Sequence, residues 1–237
     1  MPPHNPSPPQ TTVQITQPPK PAESKPKSSF KNVIFTVLLF ILAPIFALLM
    51  ILFVFQSYVV DGSSMEPTLQ NGNRVFILKL PKTFDHIRGK TYIPTRHEII
   101  VFKKTSDPNV QLIKRVIGLP GDHVIVNNDH ITIYNAENPK GFDPDANTSY
   151  GKSLSPTVGN VDITVGKDEL FVCGDNREPG ASLDSRSGLG LVPVQNVIGR
   201  LWIRYFPLSE FKTYGSLDIS PEFYLRSSSV LPLSYKI

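Results

Sequence analysis

The sequence predicts an all-β domain, with a smaller inserted β or loop subdomain, carried behind a single transmembrane helix. Three observations predict it. One charge-free run near the N-terminus is long enough to span a bilayer. Beyond it lie short segments rich in Val, Ile and Phe, each bounded by Gly, Pro, Asn or Asp. Among those segments no helical period of useful length appears.

Residues 1–29 hold nine of the 23 prolines, together with Ser, Thr, Gln and Lys. Such a composition buries too little apolar surface to fold, so a disordered cytoplasmic tail is expected. The stretch has no arginine and no amphipathic pattern, unlike an organellar transit peptide. Residues 30–57 are the expected signal-anchor helix. Their apolar heart, Val33 to Phe55, is about 34 Å long as a helix. Pro44 should kink this helix without forbidding it. A cleaved signal peptide would have a shorter apolar region followed by an A-x-A-like site, whereas the exit here reads "FQSYVVDGSS". Lysines precede the span and none follows directly, which places the N-terminus in the cytoplasm and the rest of the chain outside.

Residues 58–207 are the expected extracytoplasmic domain. Strands are predicted at "RVFILKL" (74–80), "HEIIVFKK" (97–104), "VQLIKRVIGL" (110–119), "HVIVNN" (123–128), "HITIYN" (130–135), "DELFVCG" (168–174) and "NVIGRLWIRYF" (196–206). "VNNDHI" has the character of a hairpin tip. The turn-rich residues 136–165 are expected to be an insertion on the main sheet, and 208–237 a C-terminal extension.

Charge and composition exclude several function classes. Residues 1–32 carry four lysines against one acid, so nearly all of the +4 net charge belongs to the tail. The remainder offers no basic surface for nucleic acid. Cys173 is the only cysteine, which rules out an intramolecular disulfide and a thiolate metal cluster. The five histidines show no H-E-x-x-H or related spacing, so no metal is expected, and the chemistry considered below calls for no organic cofactor.

The candidate chemistry begins at "DGSSMEPTL" (61–69), just beyond the apolar run. A serine in a Gly-Ser-Ser turn before a proline is ordinarily a turn residue unless the chain also holds a base for it. In "VQLIKRVIGLPGD", strand alternation puts Leu112, Lys114 and Val116 on one face and Ile113, Arg115 and Ile117 on the other. A lysine between leucine and valine on a buried face is desolvated. Burial disfavours its ammonium form and makes a neutral amine available as a base. On an edge strand the same lysine would simply reach solvent.

Ser64-Met65-Glu66-Pro67-Thr68-Leu69, then Lys114 through Asp122, then Gly174-Asp175-Asn176-Arg177 with Ser182, Asp184, Ser185 and Arg186, occur in that order behind the anchor. This series closely resembles bacterial type I signal peptidases, the serine/lysine-dyad leader peptidases, over roughly residues 30–205. "RHEIIVF" (96–102) is similar to the family's intervening strand motif. The resemblance implies that Ser64 is the nucleophile and Lys114 its general base. It implies that Ser182 orients the lysine amine, and that Asp175, Arg115, Asp184 and Arg186 brace the site. Tyr58, Val60, Met65, Leu69 and Ile113 would bind substrate, lining small pockets that favour alanine-x-alanine. The implied partners are preprotein signal peptides and the lipid bilayer.

Two features depart from the commonest pattern. Some family members carry a serine at the position of Gly62 that helps stabilise the oxyanion, so here the Ser64 N–H is the expected donor. "NREPGASLDSR" is also about two residues longer between Arg177 and Ser182. Gly62 and "SRSGLGLVP" resemble the Gram-positive-like branch, and Lys114 in place of histidine separates the chain from the endoplasmic-reticulum type. A self-cleaving repressor with the same dyad would need a DNA-binding domain that residues 1–29 do not supply. A non-catalytic anchored protein would ordinarily lack Ser64 or Lys114.

Overall fold

The computed structural model describes residues 30–127 and 129–215. The expected disordered tail, 1–29, and residues 216–237 lie outside the described residues. Helix α1, Phe30–Phe53, contains Pro44 and is long and apolar enough to cross a membrane. From Phe30 to Leu49 its side chains are exposed, as with Phe40 at 76%, and aliphatic and aromatic groups so displayed fit a lipid surrounding rather than water.

The expected anchor boundary at residue 57 is corrected. The charge-free run continues, but the helix ends at Phe53 and strand β1 occupies Phe55–Val59. Residues 55–59 extend because they pair antiparallel with strand β2, Arg74–Leu78, with Ser57 opposite Phe76. That pairing is invisible to a hydropathy reading. A second unexpected element follows, helix α2 at Leu80–Ile87. Its eight residues are too few to display a helical period in the sequence, although Pro81 in the first turn suits a helix start.

The remaining strands are β3 (Ile99–Lys104), β4 (Asp107–Gly118), β5 (His123–Asn127), β6 (His130–Tyr134), β7 (Val161–Thr164), β8 (Glu169–Cys173), β9 (Val192–Pro193), β10 (Val197–Phe206) and β11 (Lys212–Thr213). An eight-stranded sheet runs β1-β2-β10-β3-β4-β8-β9, with β11 paired to β10. A second sheet has the order β6-β5-β7. The first residues of the expected C-terminal extension thus belong to the main sheet, with Thr213 opposite Ile203.

The inserted unit is also larger than the expected 136–165. It leaves the main sheet after Gly118 and returns at Glu169, and it takes β5 and β6 with it. β5 and β6 form a hairpin, with Asn127 opposite His130 and Asp129 at φ 65°. Strand β7 completes the small sheet against β5 and was missed because Val161–Thr164 is only four residues long.

Three apolar clusters hold these layers. One buries Ile100, Phe102, Val116, Val172 and Val197. Another joins the two sheets through Ile117, Val124, Val126, Ile131, Ile133, Phe171 and Cys173. The third contains Val60, Met65, Leu69, Val75, Ile77, Ile99, Val101 and Leu201. Met65 and Leu69 are fully buried although they lie on the loop between β1 and β2. Each such side chain contributes about 1.5–3 kcal/mol by leaving water, enough to fix a loop that has no ladder of its own.

Candidate active site

Ser64 sits on that loop. Its base is closed by reciprocal backbone bonds, Val60 N–H to Asn73 O and Gly72 N–H to Val60 O, both 2.8 Å. Just before the serine the chain passes through Gly62 at φ 95° with open space around its Cα. Any residue with a Cβ would be strained there, which accounts for glycine rather than serine. The Gly62 N–H is donated to Asn71 Oδ1 at 3.0 Å. The Ser64 N–H has no acceptor among the described residues.

Lys114 comes from the middle of the main sheet, where β4 runs between β3 and β8 with Lys114 opposite Ile100. Its side chain is almost wholly buried, on the strand face that also carries Leu112 and Val116. The amine donates to Ser64 Oγ at 2.6 Å and to the Ile113 carbonyl at 2.9 Å. Burial lowers its pKa to about 8, against the opposing pull of the Asp184 and Asp175 carboxylates. At pH 7 about one amine in ten is then neutral, against about one in three thousand at the ordinary value. No histidine hydrogen-bonds Ser64 among the described residues.

The two neighbouring acids are each taken up by an arginine. Asp175 forms a bidentate pair with Arg115, Nε to Oδ1 at 2.8 Å, with both side chains buried. Asp184 accepts from Arg186 Nη2 at 2.8 Å, from Arg186 Nε at 3.1 Å and from the Gly174 N–H at 2.9 Å. Burial works against the Asp184 carboxylate, but Arg186, the Gly174 N–H and Ser182 outweigh it and hold its pKa below the ordinary value. Cys173, one residue before Gly174, is fully buried, and burial pushes its thiol up to about 12, so it is no nucleophile.

Ser182 does not make the lysine contact expected of it. Its hydroxyl is buried close enough to the Asp184 carboxylate to help keep it ionised but has no partner at full hydrogen-bond geometry among the described residues, and the second bond of Lys114 goes instead to its own strand. Ser182 does lie beside Ser64. A Cβ on Gly174 would collide with both Ser182 Oγ and the Ser64 carbonyl, so only glycine lets these three segments meet. Asn176 was missed. Its N–H holds the Ser64 carbonyl at 3.0 Å and its side chain reaches the Ser63 carbonyl at 3.3 Å. It stands within the Gly-Asp-Asn-Arg turn but carries no charge to draw attention.

Tyr58, Val60, Met65, Leu69 and Ile113 come together in one apolar cluster beneath the serine loop. Met65 and Leu69 are wholly buried and form its floor rather than a wall open to a ligand. Tyr58 and Ile113 keep partial exposure. No group of three or more His, Cys, Asp or Glu side chains is placed to hold a metal among the described residues.

A family model described as signal peptidase, peptidase S26, matches residues 33–206. The chain belongs to that family. It is 35% identical over 180 residues to a signal peptidase I of Bacillus licheniformis, covering 73% of this chain and 88% of that one. To a signal peptidase I P of Bacillus subtilis subsp. natto it is 36% identical over 193 residues, covering 79% and 97%. A crystal structure of a signal peptidase I from Enterococcus faecalis V583 is 27% identical, covers 46% of this chain and 96% of that one, and has a TM-score of 0.36. As a family member the chain is a serine peptidase of the signal peptidase type.

Proposed function

We propose that this protein removes N-terminal signal peptides from secreted preproteins by a Ser64/Lys114 dyad, working from a membrane anchor. The observation that carries the proposal is the 2.6 Å contact between a buried, pKa-lowered amine and the serine hydroxyl. Neutral Lys114 accepts the Ser64 proton while Oγ attacks the carbonyl of the scissile bond. The Ser64 N–H faces the oxyanion, and Lys114 returns the proton to the leaving amine. An ester between Ser64 and the signal peptide remains, and water, deprotonated by the same amine, hydrolyses it. Arg115 and Arg186 occupy the two carboxylates that would otherwise hold the amine protonated.

Specificity for small residues at alanine-x-alanine follows from the cluster under the serine. Tyr58 and Ile113 offer the exposed edges, and the buried floor of Met65 and Leu69 leaves little depth for a larger side chain. The anchor serves the same end. A signal peptide's apolar region ends at the membrane surface, so an enzyme held there meets the scissile bond by lateral diffusion. Incubation of the detergent-solubilised chain with a model preprotein should release a mature chain whose first residue follows an alanine-x-alanine. N-terminal sequencing reads it, and an intact preprotein would defeat the proposal.

Orientation gives a second expected outcome. Four lysines within residues 1–32 support a cytoplasmic N-terminus. Protease added to sealed right-side-out vesicles should therefore digest the β domain and spare the N-terminal tail. Protection of the domain with loss of the tail would reverse the topology.

A further inference from the structure

The insertion does more than decorate the sheet. Residues 145–151 close a compact turn in which Thr148 Oγ1 donates to the Asp145 carbonyl at 2.8 Å and accepts the Gly151 N–H at 3.0 Å. The turn presents two side chains to the catalytic region. The Tyr150 ring lies 3.6 Å from the centre of the Arg115 guanidinium and its hydroxyl donates to Asp145 Oδ1 at 2.9 Å. The other Asp145 oxygen accepts from Arg177 Nη1 at 2.8 Å.

Arg177 is wholly buried, and Asp145 is its carboxylate partner. Its Nε donates to the Gly174 carbonyl at 2.8 Å, and its own carbonyl accepts from Arg186 at 3.1 Å. Asp145 therefore reaches the dyad by two routes. Through Tyr150 it covers Arg115, the residue after Lys114 and the counter-ion of Asp175. Through Arg177 it pins the 174–177 turn, whose Asn176 N–H holds the Ser64 carbonyl.

We infer that Asp145 and Tyr150, both supplied by the insertion, are positioning residues that keep the Arg115–Asp175 pair and the 174–177 turn in register with Ser64 and Lys114. The inference rests on the dyad reading. A cation held on an aromatic face and paired with a carboxylate, as Arg115 is with Tyr150 and Asp175, has little freedom, and a shift of about 1 Å at a reacting pair costs up to a hundredfold in rate.

The pH profile separates positioning from simple loss of fold. The groups that set the charge of Lys114 are Asp184, Asp175, Cys173 and Arg186. If Arg115 slips from Asp175, that carboxylate is less neutralised and favours the ammonium form, so the activity limb moves to higher pH. Mere loss of folded protein lowers activity at every pH and leaves the midpoint alone. The experiment measures kcat/KM against pH for the full chain in detergent on a signal-peptide substrate, with thermal unfolding followed in parallel.

Asp145→Asn and Tyr150→Leu are expected to lose about tenfold in kcat/KM and to shift the limb upward by about half a pH unit. Tyr150→Phe, which keeps the ring over Arg115, should stay within about threefold with an unmoved midpoint. Wild-type midpoints in both Asp145→Asn and Tyr150→Leu would overturn the inference. If Asp145→Asn does not fold, the contrast between Tyr150→Leu and Tyr150→Phe decides alone. Ser64→Ala in the same assay tests the dyad itself, since activity there defeats that reading whatever the insertion variants do.

Discussion

Ser64→Ala is expected to reduce signal-peptide cleavage to background, a loss of about 10⁴–10⁶ in kcat, because the Ser64 hydroxyl is the one nucleophile that the Lys114 amine contacts among the described residues. Ser63→Ala is the matched control and should remain within about threefold of wild type. The two serines are adjacent yet do different work. Ser64 is half-buried, and its Oγ accepts from the lysine amine. Ser63 is exposed, and its carbonyl rather than its hydroxyl serves the loop, accepting from Glu66 N–H and Asn176 Nδ2. Initial rates for the two variants on one preprotein check this. An active Ser64→Ala beside a dead Ser63→Ala would move the nucleophile by one residue and break the proposed mechanism.

Lys114→Arg should be equally inactive, though it keeps the positive charge. A guanidinium does not give up its proton near neutral pH, so the variant has no base, and its larger planar head has no space against Ser64. In the proposed mechanism, activity requires the neutral amine. A pKa lowered to about 8 by burial therefore predicts kcat/KM rising with pH along one limb with its midpoint near that value, well below an ordinary lysine. The sign is fixed by the role, because a group acting as its protonated form would give the opposite slope. A profile of wild type beside Lys114→Arg tests both statements. Appreciable cleavage by the arginine variant would remove the lysine from the mechanism and return attention to the histidines.

The parts of this protein that were legible in the sequence are those governed by local periodicity and local composition. Each of the seven expected strands is present to within a few residues, because alternation of Val, Ile and Phe with polar residues is a property of five or six consecutive positions. The alternation in β4 likewise placed Lys114 between Leu112 and Val116, and that face is buried. The errors share a different origin. Residues 55–57 fall within the expected anchor because they carry no charge, whereas the conformation of Phe55–Val59 comes from pairing with Arg74–Leu78 across a loop. Helix α2 and strand β7 are too short to announce a period. The insertion expected at 136–165 is too small because β5 and β6 look like any other strands, and only partner choice assigns them to a second sheet.

The site divides along the same line. By itself the sequence singled out the candidate side chains: a serine beyond an apolar helix, a lysine on an apolar strand face, two acids and two arginines. Their motifs are contiguous, and the resemblance to signal peptidases attaches to them residue by residue. Only the tertiary structure decided what those groups do to one another. Ser64 and Lys114 are 50 residues apart and meet because the β1–β2 loop folds over the middle of β4. The pKa of Lys114 depends on how completely packing from several strands excludes water, balanced against carboxylates arriving from beyond β8. Whether Ser182 or Ile113 takes the amine's second bond is a matter of angstroms in a loop. The brace from Asp145 and Tyr150 to Arg177 and Arg115 joins an insertion to a turn more than 25 positions away. Desolvation and hydrogen-bond geometry are sums over neighbours in space, and the order of residues along the chain does not contain those distances.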